Sequence, residues 1–582
     1  MKRTKTVSLF LCILFAFYPL ISSYAAIART EAEKAFSKIS ECLLNEYKNQ
    51  DNKLVVYIWF KDIPEEEIEM KATEISSITL DEIEELDSKV PDANIDLNSA
   101  KGDLLFKEYL ESTKQMRLNI NKMLGEYIMT RRNVATELYS KNNTYCEKDC
   151  GINEKEIIYS SKYSPVLIAS LSLSEVEKIA KNENVVSVEF RGDMTSFEES
   201  YYGEYAIDAD YLKVNVGLTG YGVKVGVLDS GIVWNHSEFS STTITRLDAI
   251  SPDDSNHATN VTRIIAGSNG LAQDCHIYSI AHFGFEEMVE TLISNGVSVI
   301  NMSIGYPRTS GEYYNATEKW LDHVGYQHKV SFVKSAGNNG NSATITSPGL
   351  SYNSITVGSY STNNTTPKSD DYLESSSCGG NGGQSGCAKP DVISPTEHDF
   401  GGATSMAAPF VTGVIALLFE YKPIMKNYPA LTKAVITASC DRKFNESIYN
   451  GLTPIEGAGS LNAKRAFQVL FKGRYQYGTF YSSEITKTFS VTSSDTSITV
   501  GLAWLKPNTA SGSSHSSTNV GLSANLKLQV LLPNGSSAGY SNITNSSVEM
   551  IHFDVSSYGT YTIKVNRVDT NTNGVPYALA WW

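Results

Sequence analysis

Along the chain, apolar and polar residues alternate in several rhythms, and each predicts a different kind of structure. In the middle, short β-branched runs end in small or polar residues: Val223 to Leu228 before Asp229-Ser230-Gly231, Val297 to Met302 before Ser303-Ile304-Gly305, and Val330 to Val333 before Lys334-Ser335-Ala336-Gly337-Asn338. Runs of this kind read as central strands of a parallel sheet, buried on both faces. Between them, Val261, Ile264 and Ile265 follow His257 by four, seven and eight positions, an apolar helix stripe that Gly267 closes. The run Phe410 to Tyr421 is apolar nearly throughout and predicts a buried helix. Strand and helix patterns that take turns predict an α/β fold.

The flanks follow other patterns. Upstream, within 29–200, Leu54 to Phe60, Pro165 to Leu171 and Val185 to Phe190 read as strands, and Leu173 to Ala180 as a Ser-capped helix, an α+β unit. It is split by residues 62–145, rich in Glu, Lys, Leu and Met, which predict a solvated helical hairpin with no chemical role. Beyond 475 the composition shifts to Ser, Thr, Asn and Gly, with alternating runs at Ser497 to Trp504, Leu526 to Leu532 and Gly559 to Val565 and a Pro533-Asn534-Gly535 turn. That pattern predicts a β-sandwich or jelly roll over 475–582. No aromatic cluster at fixed spacing marks it as a carbohydrate binder, which leaves a stabilising or substrate-positioning role.

At the N-terminus, Lys2, Arg3 and Lys5 precede an apolar stretch from Val7 to Leu20 and small residues up to Ala28. The stretch is too short for a comfortable membrane span and suits a secretory signal over 1–26, an uncleaved anchor being the alternative. No second apolar stretch of spanning length is found, so the expectation is a secreted chain with no span after cleavage. With 582 residues, 41% hydrophobic and 19% charged, the chain has room for several domains. A net charge of -15 argues against nucleic acid as a partner, because phosphate binding needs a basic excess.

The chemistry centres on Gly401-Gly402-Ala403-Thr404-Ser405-Met406-Ala407-Ala408-Pro409. Ser405 sits where the buried helix begins, and unpaired N–H groups there favour a developing negative charge. It is a candidate nucleophile, with its own amide a candidate oxyanion donor. The competing reading is a plain helix cap after a glycine turn. Asp229, at the carboxyl end of a predicted strand, and His257, at the start of a predicted helix, supply the carboxylate and imidazole that tip the balance.

Residues 205–472 resemble the subtilisin-like serine peptidases. The resemblance is carried by Asp229-Ser230-Gly231, His257-Ala258-Thr259-x-Val261, Asn301-Met302-Ser303-Ile304-Gly305, Ala336-Gly337-Asn338, Lys389-Pro390-Asp391-Val392, Thr404-Ser405-Met406-Ala407-x-Pro409 and Gly457-x-Gly459-x-Leu461-Asn462-Ala463-x-x-Ala466, in that order. It implies a parallel sheet flanked by helices, and a secreted serine endopeptidase made as a self-processing zymogen. Asp229, His257 and Ser405 would be the triad, with the order Asp, His, Ser that the family is known for. Asn338 and the Ser405 amide would form the oxyanion hole, and Ser303, Ile304, Gly305, Ser335, Ala336 and Gly337 would bind substrate. The upstream unit resembles an inhibitory and chaperoning propeptide, and the downstream one a C-terminal β-domain of such enzymes. Protein or peptide substrates and the chain's own propeptide are the implied partners.

Several residues depart from the family pattern. Ala258 and Ala403 stand where glycine is usual, the smallest change available. Lys334 enters a strand that is usually small and apolar beside the specificity pocket, and is expected to snorkel to solvent or to meet a carboxylate. The loop Ser268-Asn269-Gly270 after the His257 helix is too short to supply the six to eight oxygens of the family's calcium site, so no cofactor is expected, although Glu238 offers one carboxylate. Of the eight cysteines, Cys12 lies in the signal, and Cys42, Cys146 and Cys150 lie upstream. Cys275, Cys378, Cys387 and Cys440 fall in the peptidase segment, where secretion permits disulfides and Cys378 with Cys387 is a local pairing to expect. Cys275 and a partner would supply some of the stability that a missing calcium site forgoes. The spacing fits no zinc finger or ribbon.

Overall fold

The computed structural model describes residues 37–49, 53–91, 95, 100–191, 195–196, 203–233, 236–239, 241–248, 257–281, 284–306, 308, 314–363, 365, 368–379, 388–396, 403–441, 444, 451–481, 484–507, 524–543, 545–568 and 574–582. The expected signal segment, Gly401, Gly402 and Cys387 lie outside them.

The upstream unit runs α1 (Glu41–Asn49), β1 (Leu54–Phe60), α2 (Glu65–Ile75), α3 (Leu80–Ser88), α4 (Ala100–Cys150), β2 (Ile157–Ser160), β3 (Val166–Leu171), α5 (Leu173–Ile179) and β4 (Val185–Phe190). Its strands form an antiparallel sheet in the order β2-β3-β1-β4. Successive side chains of a strand face opposite ways, so Val56, Ile58 and Phe60 join Leu43, Val176 and Ile179 in a core under α1 and α5. Tyr57 and Trp59 point into a second core shared with the central domain. A two-residue strand, β5 (Thr195–Ser196), follows.

The insertion is not the solvated hairpin its charge predicts. Helix α4 is 51 residues long, about 75 Å at 1.5 Å per residue, and it lies along the central domain. Arg131 and Arg132, which read as solvated charges in the sequence, are buried. Burial is tolerable because each guanidinium is fully committed to partners.

The central domain contains β6 (Lys224–Leu228), β7 (Thr243–Arg246), α6 (His257–Ala266), β8 (His276–Ile280), α7 (Phe285–Ser294), β9 (Val299–Met302), β10 (Ile304–Gly305), α8 (Ala316–His328), β11 (Ser331–Ser335), β12 (Ser354–Ser361), β13 (Tyr372–Leu373), β14 (Val392–Thr396), α9 (Thr404–Tyr421), α10 (Pro429–Ala438) and α11 (Ala463–Phe471). The eight-stranded sheet has the order β13-β12-β11-β9-β6-β8-β7, with β14 also pairing β12. All its pairings are parallel except β12 with β13. This is the α/β sheet that the strand–helix alternation predicts. Among the described residues α9 is the helix long and apolar enough to cross a membrane, but 94% of it is buried inside the protein.

The chain closes with β15 (Tyr475–Phe480), β16 (Glu484–Val491), β17 (Ser497–Trp504), β18 (Leu526–Leu531), β19 (Ser537–Ser541), β20 (Val548–Asp554), β21 (Gly559–Arg567) and β22 (Val575–Trp581). They form two four-stranded sheets, β15-β22-β17-β20 and β16-β21-β18-β19. Val500 and Leu502 of one sheet and Leu528, Val530 and Ile563 of the other share one core.

The expected disulfide involving Cys275 is corrected: Cys275 is a free buried thiol, as are Cys146, Cys150 and Cys378. Cys275 packs with Val225, Ile265 and Ala272 as a small apolar side chain, the ordinary use of an unpaired cysteine.

Candidate active site

The parallel strands deliver their carboxyl ends to one edge of the sheet, and the named side chains stand there. Asp229 follows β6 directly, Ser303 separates β9 from β10, and Asn338 lies three residues past the end of β11. His257 opens α6 and Ser405 is the second residue of α9. His257 Nδ1 donates to Asp229 Oδ1 at 2.6 Å, and both side chains are completely buried. Asp229 Oδ1 also accepts from the Ser230 backbone N–H at 2.8 Å, which fixes the carboxylate facing the imidazole.

Ser405 is held by a reciprocal pair of bonds with Ser303. Pro409 lies four residues after Ser405 and has no N–H, so the Ser405 carbonyl has no helical donor. The Ser303 hydroxyl fills that gap, donating to the Ser405 carbonyl at 2.7 Å, while Ser405 Oγ donates to the Ser303 carbonyl at 3.3 Å. Asn301 Nδ2 donates to the Ser303 hydroxyl at 2.9 Å, and Thr412 donates to Asn301 Oδ1 at 2.9 Å. Strand β9 and helix α9 are thus laced together at the nucleophile.

Asn338 is oriented by the residue before the serine. Its Oδ1 accepts from the Thr404 N–H at 3.1 Å and the Thr404 hydroxyl at 2.8 Å. With its oxygen engaged, its amide nitrogen is the end left to donate into the site. The Gly337 N–H donates to Thr404 Oγ1 at 2.9 Å. Gly337 has φ +108 and a Cβ there would meet Thr346 Cγ2 at 2.5 Å, so glycine is required on both counts. Sequence reasoning missed the positioning roles of Thr404, Asn301 and Thr412. The spacing of Pro409 from Ser405 was the one available hint, because it announces an orphan carbonyl.

The six expected substrate-binding residues lie on two segments, the walls of the expected cleft. Ser303, Ile304 and Gly305 make one; Ser335, Ala336 and Gly337, at the end of β11, make the other. Strand β5 pairs antiparallel with β10, Thr195 opposite Gly305 and Ser196 opposite Ile304. Ala403 has φ 170, extended backbone open to any residue, so the absence of glycine there causes no strain.

Lys334 departs from both expected behaviours. It neither snorkels nor meets a carboxylate: it is fully buried, and its Nζ donates to the Ser335 carbonyl, to Ser335 Oγ at 3.1 Å and to Thr346 Oγ1 at 3.3 Å. Strand β11 is flanked by β9 and β12, which closes any path to solvent. Burial pushes its ammonium down to about 7.

Glu238, the carboxylate that the sequence offers near the short loop, is also taken. Arg263 Nε and Nη2 donate to Glu238 Oε1 at 3.0 and 2.6 Å. The N–H groups of Gly267, Leu271 and Ala272 bond the carbonyls of Arg263, Ile264 and Ile265, so these carbonyls at the end of the helix are already paired. Glu238 is therefore engaged by a guanidinium rather than open to a cation.

The sequence comparisons agree with this architecture. Residues 220–467 match the family model of the subtilase family, Peptidase S8. M-protease of Shouchella clausii (strain KSM-K16) is 26% identical over 342 residues, covering 54% of this chain and 82% of the relative. Subtilisin E of Bacillus subtilis (strain 168) is 27% identical over 341 residues, covering 53% and 82%. Fervidolysin of Fervidobacterium pennivorans, a keratinolytic enzyme related to subtilisin, has 18% identity and a TM-score of 0.43, with 72% of this chain and 69% of that one covered. Over residues 220–467 the chain is thus similar to the subtilase family of serine peptidases.

Proposed function

We propose that the chain is a secreted zymogen that cleaves peptide bonds through Asp229, His257 and Ser405 and releases itself from its own propeptide. The observation that carries the reading is Thr195–Ser196 paired on β10, next to the serine that the Ser303 carbonyl holds. A substrate adding a strand to β10 brings its own N–H groups to that edge. Once the Ser303 carbonyl accepts from the substrate, the Ser405 hydroxyl is free to turn to His257 Nε2.

Ser405 Oγ then attacks the scissile carbonyl as His257 takes its proton, and Asp229 holds the imidazolium that forms. The oxyanion meets the Ser405 N–H and the Asn338 amide at the positive end of α9. The proton passes to the departing amine, and water, activated by the same imidazole, hydrolyses the acyl-enzyme. The upstream unit acts as inhibitor and chaperone, its sheet resting on α7 and α8 and its tail in the cleft. The two C-terminal sheets form a β-sandwich that stabilises the enzyme or positions substrate. The N-terminal basic and apolar stretch supports secretion, and the Arg263–Glu238 pair supports an enzyme that keeps no calcium on its histidine helix.

Ser405→Ala tests the reading. The purified variant is expected to fold and persist as precursor, with the cut between Glu189 and Tyr205 missing in mass spectra. Normal processing of the pure variant, no other protease being present, would sink self-cleavage.

A further inference from the structure

Between the two substrate walls lies a positive charge that the triad chemistry does not use. Lys334 precedes the second wall directly, and Asn338 follows it by four residues on the same segment. Its ammonium sits under the first wall too, since a Cβ on Gly305 would lie 3.0 Å from Lys334 Nζ and 2.8 Å from Thr346 Oγ1. Gly337 closes on the same group from the other side, with a Cβ 2.9 Å from Thr346 Oγ1. Lys334 Nζ, Ser335 Oγ and Thr346 Oγ1 therefore converge in the gap between Gly305 and Gly337, beside the serine and the oxyanion donors.

The partners of this ammonium are a carbonyl and two hydroxyls. None of them carries charge, and among the described residues no carboxylate is paired with it. The charged groups that act on it are Arg308, Glu318 and the Cys378 thiol. Arg308 and Glu318 already form a buried ion pair with each other, and Glu318 also accepts from the Asn315 N–H at 2.8 Å. Burial holds the Cys378 thiol above its ordinary range, so it stays neutral. With Lys334 protonated the cluster is one positive charge in excess, and an uncompensated buried charge is expensive unless something pairs with it. Strand β5 covers Ile304–Gly305 in this structure, so the gap opens to a substrate side chain only when that strand leaves.

We propose that Lys334 recognises the side-chain carboxylate of the substrate residue on the amino side of the scissile bond, so that the enzyme cuts after glutamate or aspartate. This rests on the peptidase reading above and names its substrate class. The residue whose carbonyl lies between Ser405 and Asn338 projects its side chain between the two walls, where an acidic group displaces one hydroxyl from the ammonium and neutralises the cluster. Thr346 and Ser335 remain as hydroxyl donors to the second carboxylate oxygen.

The test is cleavage profiling of a proteome-derived peptide mixture by the processed enzyme, followed by peptides that differ only in Glu, Gln, Leu or Ala at the position before the cut. Cuts enriched after Glu and Asp are expected, with kcat/KM for Glu exceeding that for Gln by about 10- to 100-fold, the range of a hydrogen bond to a charged group. Lys334→Met should bring that ratio close to about 1, and Lys334→Arg should keep part of it. Preference for Leu overturns the proposal, and so does preference for Ala, which would make Lys334 a plug that shortens the pocket. If Lys334→Met does not fold, the Glu to Gln ratio of the unaltered enzyme decides alone. An enzyme that cuts no peptide and takes up no fluorophosphonate at Ser405 defeats the peptidase reading itself, an outcome distinct from cutting after the wrong residue.

Discussion

Thr404 holds the Asn338 oxygen with both its N–H and its hydroxyl, and so orients the donor of the proposed oxyanion hole. Removing the donor outright by Asn338→Leu should lower kcat by about 10² to 10³ with little change in KM. Thr404→Val keeps the shape and deletes one of the two bonds, so a loss in kcat of about tenfold is expected, the worth of one charge-free buried hydrogen bond. The double variant should be no slower than Asn338→Leu alone, because Thr404 acts through Asn338; additive losses measured in that cycle would show an independent role. At this scale the motifs name Asp229, His257, Ser405 and Asn338 because the chemistry demands those residue types, and the structure pairs His257 with Asp229 and Thr404 with Asn338. Lys334 was not legible, because its fate depends on β9 and β12 closing over β11, which its own neighbours in sequence do not announce.

Helix α4 shows what a pattern of charges conceals. Arg132 donates to the carbonyls of His328, Ile293 and Val297, where α8 and α7 end, and a cation is favoured at such termini. Arg131 pairs with Glu65 and Glu69 of α2 and donates to the Gln327 carbonyl. The need for these arginines arises in helices far along the chain, so no local periodicity could reveal it, and they read as solvent-facing. Strands and helices with a continuous apolar run or stripe were legible, because burial alone dictates them. Helix α6 makes the same point in reverse: its loop is short, and Arg263 occupies Glu238. Excess chelator should therefore leave the melting temperature of the mature enzyme within a degree or so, whereas Arg263→Leu should destabilise it by about 1 to 3 kcal/mol by orphaning a largely buried carboxylate. A large fall with chelator, reversed by calcium, would contradict this.

As a whole, the molecule is a central α/β domain with the upstream sheet packed on α7 and α8, and the joint contains a titratable carboxyl. Glu290 of α7 accepts from the Tyr159 and Ser161 hydroxyls and the Lys162 N–H of the upstream unit, with Glu286 near it. Burial pushes it up to about 7. A carboxyl raised by docking holds its proton more tightly in the complex, so its contribution is complete at pH below the ordinary carboxylate range and is lost as pH rises toward 7. Dissociation of the upstream unit, once cut from the rest as proposed above, should thus strengthen by up to about a hundredfold between pH 5 and 8 through this group, and Glu290→Gln should flatten that difference; an unchanged slope in the variant would assign the effect elsewhere. The central claim, a serine made nucleophilic by His257 and Asp229, is tested most directly by treating the processed enzyme with a fluorophosphonate and mapping the adduct by mass spectrometry. The account predicts one adduct, on Ser405, absent from Ser405→Ala and strongly slowed in His257→Ala; an adduct on another residue, or labelling of Ser405 that is indifferent to His257, would contradict it.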